Sequence, residues 1–304
     1  MLDTLRIPKI WIVISFSTVV ALVAYGFISF MIAQGVTKAN RGSQVANPSE
    51  FDLEFENVEF FPRYEDLVLR GWYLPVDLKS PTLIFVHGIG SVRSGNNAVE
   101  LASRLVERDF NVLLFDLRGH GSSDGDKASG GYFERWDVLG AFDYLLELGI
   151  DSHRIGLIGF SMGAAASILA AADEPRITAV AVDSAFADAS DLIAREAARA
   201  TPFPSWLTPL FIPASNLIAK GIYGIDIGSL VPERAVSQLD FPVLVIHGIA
   251  DQRVPWEQGQ RVSDAAKEGS VMWLLPEVGH VDSFLEQPDE YVVKVSEYFD
   301  ERLR

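Results

Sequence analysis

The hydrophobic pattern divides this chain into two kinds of sequence. From Ile10 to Ala33 there are 24 consecutive residues without a charge. A helix of that length would be ~36 Å long, enough to cross a ~30 Å hydrocarbon core with some tilt. Trp11, near one end, suits a membrane interface. A cleaved signal peptide has an apolar region of only about 7–15 residues and a small-x-small cleavage site. The positions around Ala33 offer no such site. A buried globular helix rarely runs uncharged beyond about 18 residues. The pattern therefore predicts a single-pass anchor over residues 1–33. Residues 34–50 are polar, contain Gly, Asn and Pro, and read as a tether.

After residue 50 short apolar runs alternate with helical spacing. Strands are predicted at 51–60, 67–74, 82–86, 111–115, 155–158, 177–182, 243–246 and 271–275. Helices are predicted at 94–108, 133–148, 162–172, 188–200 and 291–299. Continuous apolar strands separated by helices predict an α/β fold whose mostly parallel sheet is covered on both faces. The domain is expected over 51–304. One stretch, about 185–238, shows no strand and is too long for a structureless loop. It is expected to be a helical cap inserted over the carboxyl edge of the sheet. Its segment 201–213 has four prolines together with Phe203, Trp206, Leu207, Leu210, Phe211 and Ile212. Those apolar residues could line an acyl pocket, dip into lipid beside the anchor, or pack on the sheet edge. Trp206 and Phe211 are the expected substrate-binding pair.

Charge sharpens the division. The chain of 304 residues carries 25 Lys and Arg against 41 Asp and Glu. In residues 1–41, Arg6, Lys9, Lys38 and Arg41 stand against Asp3 alone, which leaves a net of −19 for the remainder. Such a domain is a poor nucleic-acid binder, because phosphate contacts need clustered Lys and Arg. The basic residues flank the apolar run evenly. The α-amino group tips a weak preference toward a cytoplasmic N-terminus and an extracytoplasmic domain. There is no Cys, which excludes thiolate chemistry and disulfides. No pair of histidines has metal-ligand spacing at helical positions, so neither a metal nor a cofactor is expected.

Candidate chemistry sits in the turns. Gly159-Phe160-Ser161-Met162-Gly163 is a G-x-S-x-G motif placed directly after a strand and before a helix. A nucleophile elbow requires that placement, because the sharp turn strains the serine backbone and leaves no room for side chains beside it. A serine needs a base, and the base an orienting acid. Of five histidines, His280 lies between the last strand and the last helix, where its loop returns to the edge of the sheet that carries Ser161. The order Ser, Asp, His selects Ser161, Asp251 and His280, 90 and 29 residues apart. Asp183, at the end of the preceding strand, is the alternative acid. Asp116 is expected to stabilise its own turn, and His87, His120 and His247 to be structural. In His87-Gly88-Ile89-Gly90 the backbone N–H of Ile89 is the natural oxyanion donor beside that of Met162.

HGIG at 87–90, DLRGHGSS at 116–123, GFSMG at 159–163, HGIADQRVP at 247–255 and GHVD at 279–282 together resemble the α/β-hydrolase fold family over about residues 51–304. The DxRGHG and HGxxDxxVP elements are similar to a membrane-anchored branch related to Bem46-like proteins and some serine depalmitoylases. The resemblance implies Ser161 as nucleophile, His280 as base and Asp251 as acid. Serine at 161, rather than Asp or Cys, points away from the dehalogenase, epoxide-hydrolase and dienelactone-hydrolase types. The expected activity is hydrolysis of carboxylic esters or thioesters of small acyl substrates. A peptidase or amidase of the same fold and a non-catalytic tethered binding module are the alternatives. The anchor is the expected contact with a membrane. Residues 1–41 are expected to contribute no core and to be removable.

Overall fold

The computed structural model describes residues 9–39, 41–200 and 204–304; Asp3, Arg6 and Phe203, named above, and the first of the four prolines, Pro202, lie outside them. Helix α1 (Lys9–Thr37) comes first, followed by β1 (Glu56–Phe60), β2 (Leu69–Leu74) and β3 (Thr82–Val86). Then come α2 (Ala98–Val106), β4 (Asn111–Asp116), α3 (Glu134–Glu147), β5 (Ile155–Phe160), α4 (Met162–Asp173) and β6 (Val180–Asp183). Among the described residues no strand follows until β7 (Leu244–Gly248). The intervening chain forms α5 (Ala189–Ala200), α6 (Ile212–Ile218) and α7 (Pro232–Val236), with short 3-10 and π turns between them. The order closes with α8 (Trp256–Ala265), β8 (Val271–Leu275), α9 (Ser283–Glu286) and α10 (Pro288–Leu303).

The eight strands form one sheet in the order β1-β2-β4-β3-β5-β6-β7-β8. The pairs β1–β2 and β2–β4 are antiparallel and the rest parallel. The reason is legible in β3, whose five residues are all buried. Leu83 and Phe85 face one core with α2 and α10; Ile84 and Val86 face the other with α3 and α4. A period of two with apolar residues on both sides fits only a strand covered on both faces. Helix α8, WEQGQRVSDA, has no apolar stripe broad enough to announce it. Its Gly259 is needed because a Cβ there would stand 2.3 Å from His247 Nδ1.

The amino-terminal segment differs from the expectation. Residues 9–24 are exposed throughout, but from Tyr25 onward α1 packs on the chain between β6 and β7. The Tyr25 and Phe211 rings stack at 5.3 Å, and Tyr25 Oη donates to the Leu210 carbonyl at 2.9 Å. Ser29 and Ala33 are fully buried, and Ala33 belongs to the main core. The stretch expected to be a loose tether is docked as well. Ala128 N–H donates to the Thr37 carbonyl, and Arg41 reaches the carbonyls of Ser123 and Gly125. Gln44 donates to both carboxylate oxygens of Asp116. The expectation that residues 1–41 contribute no core is therefore corrected. Small residues of α1 let the cap approach closely, and the polar stretch satisfies backbone carbonyls of the 116–125 turn rather than water.

Candidate active site

Four strands deliver the candidate residues to one edge of the sheet: β3 leads to Ile89, β5 to Ser161, β7 to Asp251 and β8 to His280. Ser161 has φ +53° and ψ −114°, a region that non-glycine residues rarely adopt. The turn closes because its neighbours are glycines: a Cβ on Gly163 would lie 2.0 Å from the Val86 carbonyl oxygen. The strain lifts the Ser161 hydroxyl off the sheet and starts α4 immediately behind it. The helix N-terminus then favours negative charge at that point.

The Ser161 hydroxyl lies 2.9 Å from His280 Nε2, and His280 Nδ1 lies 2.7 Å from Asp251 Oδ2. An ionised carboxylate only accepts, so Nδ1 carries the imidazole proton and Nε2 is left to accept from the serine. Burial alone would raise the Asp251 carboxyl. Hydrogen bonds from His247 and His280, the charge of His280 and the N–H of Val254 outweigh it and hold the group well below the usual carboxylate range. Arg253 and Val254 N–H both donate to Asp251 Oδ1 at 2.8 Å. The alternative acid, Asp183, is turned elsewhere: its Oδ1 accepts from the Ser184 and Ser283 hydroxyls. Burial pushes it up to about 6. Ser184 Oγ in turn accepts the Val281 N–H and so holds the loop that carries His280.

The two upstream histidines brace the 87–90 loop. His87 Nδ1 donates to the Gly88 carbonyl while Nε2 accepts the Leu117 N–H. His120 Nε2 accepts the Gly90 N–H, and its Nδ1 meets the Arg118 carbonyl. Burial, and next the neighbouring His120, push His87 down to about 4, so it stays neutral and keeps an acceptor nitrogen. These contacts fix the backbone on both sides of Ile89.

Ser161, Ile89 and Met162 share one cavity of about 230 Å³. Phe186, Leu192, Ile193, Ile225, Ile227 and Leu230 supply its apolar wall. Neither Trp206 nor Phe211 is among the described lining residues, which corrects the expected substrate-binding pair. Trp206 is 73% exposed, and Phe211 is buried against Tyr25 of α1. Their prolines and aromatic character signal burial against something apolar, but not against what. Sequence reasoning missed Gly35 and Thr37, the last turn of α1, which line the same cavity as Ser161. His247, expected to be structural, packs behind the acid: its Nε2 lies 2.9 Å from the Val254 carbonyl and 3.5 Å from Asp251 Oδ2. No spacing rule could have found Gly35. For His247 the signal was its place at the end of a strand four residues before Asp251.

Comparison with known proteins agrees with this architecture. Residues 81–217 match the alpha/beta hydrolase fold family model. The YfhR protein of Escherichia coli K12, itself uncharacterised, is 30% identical over 241 residues, covering 75% of this chain and 74% of that protein. The bem46 protein of Schizosaccharomyces pombe is 29% identical over 257 residues, covering 79% of this chain and 76% of its own. Among solved structures, an esterase from Pyrococcus furiosus superposes with a TM-score of 0.71 at 25% identity, over 88% of this chain and 99% of that one. The chain belongs to the α/β-hydrolase fold family.

Proposed function

We propose that the protein is a membrane-anchored serine hydrolase that cleaves carboxylic esters, and thioesters next, through an acyl-enzyme. The observation that carries this reading is the continuous hydrogen-bonded line from Ser161 through His280 to Asp251 at the base of an apolar cavity. Membrane anchoring rests on the exposed apolar length of α1, with its domain side favoured weakly as extracytoplasmic by the flanking charges.

In this mechanism Ser161 Oγ attacks the acyl carbon while its proton passes to His280 Nε2. The carbonyl π pair moves onto oxygen, where the N–H groups of Ile89 and Met162 receive it. Asp251 stabilises the imidazolium and keeps the ring in the required tautomer. Collapse of the tetrahedral species breaks the bond to the alcohol or thiol, which leaves with the proton from His280. Water then repeats the sequence: it gives its proton to His280, attacks the acyl-enzyme and releases the acid with Ser161 restored. Apolar walls exclude bulk water and receive the acyl chain.

The test is Ser161→Ala assayed on short p-nitrophenyl esters, with labelling of the full chain by a fluorophosphonate. The expected outcome is loss of nearly all turnover, leaving only ~10³–10⁴-fold over water, and loss of the covalent label with an unchanged melting temperature. An alanine variant that hydrolyses esters at the parent rate would overturn the reading.

A further inference from the structure

The last three turns of α1 belong to two structures at once. Lys9–Ala24 are exposed along the whole helix surface. These 16 residues span ~24 Å, short of a ~30 Å hydrocarbon core. With Lys9 held at the polar boundary, a spanning helix needs ~20 apolar residues, and tilt only increases the number. Tyr25–Ser29 must then lie at hydrocarbon depth, and these are the residues on which Leu210 and Phe211 pack. Whatever touches them is brought to the same depth.

The chain segment packed there exposes several large apolar side chains, and its one exposed lysine, Lys220, is paired with Asp226. Leu210 is 57% exposed, Leu217 73% and Ile222 58%, and Trp206 upstream is 73% exposed. These four lie on a single run from the turn before α6 to the π turn after it. Exposed leucine and isoleucine in water would be costly at ~25 cal/mol per Å². In the outer leaflet zone beside α1 that cost vanishes, and tryptophan suits the interface. Gly35, five to six residues beyond the hydrocarbon edge, stands ~8 Å further along the axis. This is the polar interfacial zone, whose inner edge at the hydrocarbon boundary carries the ester carbonyls of acyl lipids. Exposed Lys38 and Lys127, paired there as backbone neighbours, suit phosphate headgroups.

Resting on the anchored-hydrolase reading, we propose that the Leu210–Leu217–Ile222 surface inserts into the bilayer beside α1, and that the cavity at Ser161 takes its acyl ester from membrane lipid. The anchor thereby sets catalytic depth: its embedded turns carry the cap, and its final turn at Gly35 and Thr37 walls the pocket. The occupant of the surface is the lipid leaflet itself.

The chain lacks Cys, so single labels can be placed without background. Nitroxides on Val19→Cys, Leu217→Cys and Glu268→Cys of the full chain in phosphatidylcholine–phosphatidylglycerol vesicles would report collisions with oxygen and with a water-soluble nickel chelate. The ratio of oxygen to nickel accessibility at Leu217 should follow Val19 and exceed that at Glu268 by at least ~threefold, as burial in the acyl boundary requires. A Leu217 label that behaves like Glu268, with Val19 in lipid, overturns this inference and leaves the anchor intact. Val19 and Leu217 both in water overturn the anchored reading itself. In the second arm, Leu217→Asp with Ile222→Asp should lower hydrolysis of a fluorogenic monoacylglycerol in those vesicles ~tenfold while the rate on soluble p-nitrophenyl acetate stays at the parent value. Equal rates on the vesicle lipid, or turnover of a vesicle-bound S-acyl peptide in its place, overturn the lipid assignment.

Discussion

At one end of the cavity, Ser161, His280 and Asp251 are aligned by hydrogen bonds of 2.7–2.9 Å and by backbone N–H groups that leave each atom one useful position. On its apolar side, Gly35, Leu192, Ile225 and Ile227 line the same cavity from three separate stretches of chain. Directional bonds tolerate little displacement, so the first end can fix a nucleophile and a proton path. Apolar contact depends on volume rather than direction, so the apolar side can be reshaped without disturbing the chemistry. On the proposed mechanism, the contrast makes reaction type and substrate choice separable, with rate set at Ser161 and chain length set where α1 meets the cap.

The largest test of that contrast is at the acid. Asp251→Asn should reduce kcat by ~10⁴-fold, because the amide cannot hold His280 in the same tautomer or stabilise imidazolium, and melting temperature should move little by comparison. Asp183→Asn should leave kcat within a small factor of the parent. Its effect should appear in stability against pH. The Asp183 carboxyl is raised from 3.8 to about 6 by burial, so the folded state binds its proton more tightly than the unfolded state. The stability this provides is fully present below about 4 and is lost as pH rises through about 6. The Asn variant should therefore show a flatter melting profile between those values, checked by calorimetry across pH. A large kcat loss confined to Asp183→Asn would reverse the assignment.

A smaller effect is expected at the apolar wall. A Cβ at Gly35 would meet nothing within 4 Å, so Gly35→Leu should fit while narrowing the cavity. Its kcat/KM on a long acyl ester should fall ~tenfold, about 1.4 kcal/mol, with the acetyl ester unchanged. Equal losses on both substrates would mean that the two sides are coupled.

The smallest catalytic effect should come from Phe211→Ala and Trp206→Ala, assayed on a soluble acetyl ester. Phe211→Ala should cost ~3 kcal/mol of stability by leaving a void against Tyr25. Trp206→Ala should leave the melting temperature unchanged in detergent, since its side chain is exposed. An altered chain-length preference in Trp206→Ala on soluble substrates would return that residue to the pocket wall.

Much of the fold and of the candidate site was legible in the chain. The elbow at 159–163 is readable because it is local: two glycines and a serine between a strand and a helix leave one backbone path. The sheet is equally local, since β3 and β5 announce themselves by unbroken burial. The order Ser161, Asp251, His280 follows from strand succession. Between Asp251 and Asp183, however, only the tertiary structure discriminates. The two stand at the ends of adjacent parallel strands, and the discrimination lies in which way each carboxylate is turned and in what donates to it.

By itself the sequence determined the α/β alternation, the serine turn, the order of the candidate acid and base, and a span of α1 long enough to cross a bilayer. Tertiary structure decided that α1 is a wall of the pocket rather than a leash, that Phe211 faces Tyr25 across 186 positions of chain, and that Gly259 exists to admit the His247 ring. The physical reason is range. Turn geometry, strand periodicity and helix length are settled by interactions between near neighbours, and these leave a signature in residue type and spacing. An apolar side chain carries no address: leucine and phenylalanine gain nearly the same free energy against any dry surface, and which surface they meet is settled only when the whole chain has packed.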